Sequence, residues 1–86
     1  MTELQALPNV GKVLAEHLTA IGIKSPEDLK KSGTEATFLK IRMQRDAGAC
    51  LHMLYGIEGA IQEISKKNLP AERKQQLLQF YQSLEQ

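Results

Sequence analysis

Apolar residues recur along this chain at helical spacing and nowhere in alternation, and that property points away from a sheet. Val10, Val13, Leu14, Leu18 and Ile21 stand at i, i+3, i+4, i+8 and i+11, one stripe of a 3.6-residue period. Lys12, Glu16 and Thr19 take the other faces, and Gly22 ends the run, since glycine accepts the left-handed conformation just past a helix. Cys50, Leu54, Ile57, Ile61 and Ile64 repeat the pattern, widened by Leu51 and Tyr55. This second stripe predicts the longest, central helix from Asp46 to about Lys67, with Cys50 as a small core residue. Gly56 and Gly59 would each weaken an isolated helix by up to about 1 kcal/mol, so together with Ala60 they predict close approach of a neighbouring backbone.

Capping residues divide the rest. Ser25 suits an N-cap and Pro26 the first helical position, with Glu27 and Asp28 in the first turn, Lys30 and Lys31 in the last, and Gly33 as the stop. Thr34 is read as the cap of the next helix, which carries Phe38, Leu39, Ile41 and Met43 and ends near Arg45. Pro70 opens a final helix that buries Leu77, Leu78, Tyr81 and Leu84, with Phe80 beside them. With a short first helix over 2–7, the expected fold is all-α: one domain over 1–86, a small bundle of five to six short helices in a helix-hairpin-helix or SAM-like arrangement.

Composition narrows the chemistry. Eleven basic and ten acidic residues leave a net charge of +1, less than a dedicated nucleic-acid binder usually carries. Residues 1–45 hold seven Lys/Arg against five Asp/Glu, and residues 46–86 four against five, so the expectation is that any anion-binding face lies in the first half. His17 and His52 read as helix-surface or boundary residues. Cys50 and His52 diverge on a helix, and no spacing supplies three converging metal ligands. Glu58 and Glu63, like Glu27 and Asp28, read as capping and solvating carboxylates. No nucleophile–base pair and no phosphate-cradling glycine motif is present. No enzyme activity, cofactor, metal or small-molecule substrate is expected. A single cysteine, no leader-like start and no run of about 18 apolar residues predict a cytoplasmic protein without a membrane span.

The stretch Leu7–Pro8–Asn9–Val10–Gly11–Lys12 allows a tight reversal. Asn9 accepts positive φ better than most residues and Gly11 accepts it freely. Val10 turns inward as an anchor. The backbone N–H groups at the start of the next helix, at the positive end of its dipole, then offer an anion seat beside Lys12. The stretch resembles the helix-hairpin-helix element of DNA-repair and recombination proteins, where Gly–hydrophobic–Gly precedes a basic residue. Val10, Gly11 and Lys12 match that pattern, and Asn9 stands where the first glycine would be.

A wider resemblance spans nearly the whole chain. The hairpin, the Ile21–Gly22–Ile23 turn, the capped helix Ser25–Gly33, and Leu54–Tyr55 followed by Gly59–Ala60 look like the C-terminal domain of TfoX/Sxy-type competence regulators, in a stand-alone version. That resemblance implies a non-enzymatic regulatory binding module. Two uses stay open. One is weak, sequence-independent DNA-backbone binding through Asn9, Val10, Gly11 and Lys12, with Lys24, Lys30 and Lys31 adding charge. The other is a protein-interaction or homodimerisation domain without nucleic-acid contact, since Phe38, Met43, Met53, Ile57, Phe80 and Tyr81 are much apolar surface for so small a core.

Overall fold

A computed structural model of the chain describes residues 3–84. Among these, a 3-10 turn at Glu3–Ala6 precedes α1 (Lys12–Ala20), α2 (Pro26–Ser32), α3 (Thr34–Gln44) and α4 (Leu51–Gln62). A second 3-10 turn at Lys66–Asn68 then leads into α5 (Ala71–Leu84). The described residues contain no strand. The expected all-α bundle is present; Thr2, at the edge of the expected first helix, lies outside the described residues.

The helix ends follow local chemistry. Gly22 at φ +94° lets α1 close, with the Ile23 N–H donating to the Leu18 carbonyl at 2.9 Å and Ile23 buried behind it. Ser25 Oγ accepts from the Asp28 N–H at 3.2 Å, and Asp28 in turn accepts from the Lys24 N–H. Gly33, at φ +82°, ends α2 and directly precedes α3. Gly33 therefore occupies the cap position expected of Thr34; Thr34 is the first helical residue and is buried.

α4 is the hub. It packs against α2, α3, α5 and the second 3-10 turn, and Leu54 and Ile57 are fully buried within it. Phe38 and Ile41 of α3, Leu18 of α1, Leu29 of α2, Leu77 of α5 and Leu4 complete the core. Each such side chain contributes about 1.5–3 kcal/mol by leaving water. Tyr81 seats α5: its ring lies 6.1 Å from that of Phe38, and the Arg42 guanidinium stands 5.7 Å over it.

Several expectations are corrected. The central helix is shorter than Asp46–Lys67. Asp46 Oδ1 accepts from the Gly48 N–H at 2.9 Å, and this side-chain turn holds the chain out of helix until Cys50, whose extended backbone caps α4. Cys50 is thus exposed rather than buried. At the other end Glu63 takes φ +59° and the Ile64 N–H closes back on the Gly59 carbonyl at 2.9 Å. The longest helix is instead α5. In α1 the buried face is Leu14, Ala15 and Leu18, because the Glu3–Ala6 turn packs along that side; Val13 is 64% exposed.

Candidate nucleic-acid interface

The reversal between the first 3-10 turn and α1 is built as the residue order demands. The Val10 N–H donates to the Leu7 carbonyl, enclosing Pro8 and Asn9, the order a type II turn favours, and Asn9 sits at φ +68°. Val10 is buried at 6% exposure and anchors the corner. Gly11, the N-cap of α1, is extended at φ −92° and supplies no side-chain cap. The N–H groups of Lys12, Val13 and Leu14 have no acceptor among the described residues, and α1 carries no acidic residue in its first turn. Gly11, Lys12 and Val13 are exposed around them. The positive end of α1 therefore stands open beside a lysine.

Asn9 does something the sequence did not announce. Its Nδ2 donates to the Ile64 carbonyl at 3.0 Å, and its Oδ1 accepts from the Lys66 N–H at 3.1 Å. These two bonds fasten the reversal to the end of α4. Gly59 makes the room, and Gly56 lies beside it. A Cβ on Gly59 would meet Asn9 Nδ2 and lie 2.7 Å from the Ile64 oxygen; one on Gly56 would lie 3.6 Å from the Asn9 Cβ. The expected approach of a neighbouring backbone is found at Gly59, in the Ile64 carbonyl, but the nearest group at both glycines is the Asn9 side chain, and at Gly56 it stands at ordinary contact distance.

The other candidate residues divide. Lys30 Nζ bonds Glu63 Oε2 at 3.0 Å, so Lys30 and Asn9 converge on the consecutive residues Glu63 and Ile64. Half of its side chain is exposed, and its charge is already matched. Lys24 and Lys31 are exposed on the approach to α2 and in α2 itself. Val10 faces the core, so it shapes the corner without reaching solvent.

A polar network missed in the sequence lies on α4. Glu58, read as a solvating carboxylate, is only 6% exposed. Its Oε1 accepts from Thr34 Oγ1 at 2.6 Å and from Arg73 Nη2 at 2.9 Å, and its Oε2 accepts from Gln62. Arg73 also binds both carboxylate oxygens of Glu35, at 3.0 and 3.2 Å. Burial pushes the Glu58 carboxyl up, but the hydrogen bonds from Arg73, Thr34 and Gln62 outweigh it and leave the group below its ordinary value. Hydrogen bonding to Glu35 and then Glu58 raises Arg73. The signal was its register: Glu58 is four residues after Leu54 and next to Ile57, on the buried face.

Of the six residues expected to exceed the core, Phe38 and Ile57 are fully buried, and Met53, Phe80 and Tyr81 pack half-buried against it. Met43 alone of the six stands out, at 83% exposure. His52 is exposed, and His17 accepts from Arg45 Nε at 3.4 Å. No group of three His, Cys, Asp or Glu among the described residues is placed to hold a metal, and no helix there is long and apolar enough to cross a membrane.

A small all-helical domain whose first reversal is clasped to the end of its central helix is the class these features define. The chain belongs to the family of the TfoX C-terminal domain, which matches residues 1–81. It is similar to an uncharacterized protein from Listeria monocytogenes in a triclinic crystal form, with 44% identity and a TM-score of 0.92 over 95% of this chain and 92% of that one. It is also similar to a Listeria monocytogenes protein of unknown function in a tetragonal form, with 43% identity and a TM-score of 0.90 over 94% and 98% of the two chains. No curated protein matches it.

Proposed function

We propose that this domain is a non-enzymatic regulatory module of the competence-regulator type that grips nucleic-acid backbone through the tip of α1. The observation that carries the reading is the open start of that helix: N–H groups at Lys12, Val13 and Leu14 without an acceptor among the described residues, an exposed lysine, and no acidic residue in the turn. A phosphate oxygen there accepts from the amides and lies against the Lys12 ammonium. Nothing in this contact touches a base edge, so binding is independent of sequence. Lys24 and Lys31 add charge at longer range, and Lys30 contributes little because Glu63 holds it.

Anisotropy of a labelled DNA duplex, titrated at about 50 and about 200 mM salt, tests this. The expected slope of log affinity on log salt is about −1 to −3, the signature of few phosphate contacts. No binding at the lower salt removes the reading.

A second reading has its own observation. An open groove of about 430 Å³ runs beside Lys12, lined by Gln5, Ala15, Glu16, Thr19 and Ala20. Its mainly apolar floor suits a protein partner or a second copy of the chain. Sedimentation over a concentration series separates these two occupants.

A further inference from the structure

The second half of the chain holds four basic residues among 46–86: Lys66, Lys67, Arg73 and Lys74. Arg73 is consumed by Glu35 and Glu58. The other three line one cleft of about 370 Å³, together with His52 and Tyr55 of α4. No carboxylate lines it, and none of the three lysines forms an ion pair among the described residues. In a chain of net charge +1, three lysines without an ion pair, supplied by the second 3-10 turn and α5, give the cleft a positive lining that favours an anion.

The cleft is also held in shape. Ser65 Oγ accepts from the Lys67 N–H at 3.3 Å, and Asn9 Oδ1 accepts from the Lys66 N–H at 3.1 Å, so both lysine backbones are fixed. Tyr55 donates its hydroxyl to the Lys74 carbonyl at 3.5 Å, tying α4 to α5 across the cleft. Lys66 and Lys74 are half-buried, which lowers the screening of their charge by water.

We infer that this cleft is a seat for a phosphate group, free or carried by a nucleic-acid strand. Three ammonium groups from two elements suit an oxyanion with several acceptor oxygens better than a single carboxylate, and the volume leaves space for the body that carries it. The seat does not depend on the tip of α1. It lies in the second half of the chain, apart from the first-half face that charge along the sequence leads one to expect.

The test is an amide-resolved NMR titration of the full chain with inorganic phosphate, against sodium chloride at matched ionic strength, and in parallel with a single-stranded octanucleotide. Saturable shifts at His52, Tyr55, Lys66, Lys67 and Lys74, absent with chloride, are expected. Lys67→Ala and Lys74→Ala each weaken binding about tenfold, as losing one charge-assisted contact does, while Lys12→Ala leaves phosphate binding at this cleft unchanged. Amide dispersion confirms that each variant is folded, and Lys67→Glu, at an exposed position, serves if Lys74→Ala is not. If only the octanucleotide moves these signals, the occupant is strand backbone; if both ligands do, free phosphate suffices; the seat stands in either case. Equal shifts with chloride, shifts spread evenly over surface lysines, no shift with either ligand, or unchanged binding in the folded lysine variants overturns it.

Discussion

The side-chain amide of Asn9 and the carbonyl of Ile64, 55 residues apart in sequence, meet at 3.0 Å. With the second bond from the Lys66 N–H, Asn9 satisfies two backbone groups of the segment that joins α4 to the second 3-10 turn. Asn9→Gly keeps the positive φ available but removes both bonds, and is expected to lower stability by about 2 kcal/mol in urea unfolding. Asn9→Asp keeps one acceptor and sets the other oxygen against the Ile64 carbonyl, so it is expected to cost at least as much. If Asn9→Gly unfolds with the wild-type midpoint, the clasp contributes nothing.

The two glycines beneath Asn9 are expected to behave oppositely. Gly59→Ala drives a methyl against Asn9 Nδ2 and the Ile64 oxygen, and is expected to destabilise by about 1–3 kcal/mol. Gly56→Ala meets the Asn9 Cβ and carbonyl oxygen at ordinary contact distance, so helix propensity prevails and the change is neutral or stabilising by up to about 1 kcal/mol. Thermal unfolding of the two variants side by side checks the contrast.

Glu58 makes stability depend on pH in a stated direction. Its folded value is lowered from an ordinary 4.5, so its contribution is full above that pH and is lost as pH falls through the lower folded value. Unfolding free energy is therefore expected to hold steady above about pH 5 and to decline below about pH 4.5, and Glu58→Gln is expected to flatten part of that decline. Arg73→Ala leaves Glu58 buried without its cation and is expected to cost about 3 kcal/mol at neutral pH. Urea titrations at several pH values measure both.

Gly11 offers a test that spares the fold. A Cβ there meets nothing within 4 Å, and the backbone is ordinary extended chain. Gly11→Asp caps α1 from within and sets a negative charge where the phosphate would sit. Stability is expected to rise by a few tenths of a kcal/mol, about the advantage of Asp over Gly as a cap, while duplex affinity falls about tenfold or more. Unchanged affinity would make the corner architectural only.

What the sequence made legible was local. Ser25, Pro26 and Gly33 bounded α2 because caps act within a few residues, and Gly22 ended α1 for the same reason. The boundaries of α4 were misplaced where other forces decided. The Asp46–Gly48 turn was overshadowed by the apolar stripe, and Glu63 adopts positive φ with no glycine to advertise it. In the candidate site, the Gly11–Lys12 corner was readable from its own residues. The role of Asn9 was not, because its partners lie 55 and 57 residues away. The lysine cleft was hidden likewise, since His52 and Lys74 become neighbours only when α4 and α5 pack.

The most direct test of the α1 tip is to watch its amides while duplex DNA is added at low salt. The Gly11, Lys12, Val13 and Leu14 N–H signals are expected to move together and to return when salt is raised, and Lys12→Ala is expected to reduce the response. If these four signals stay still while DNA binds elsewhere or not at all, the tip is not where this domain meets a phosphate.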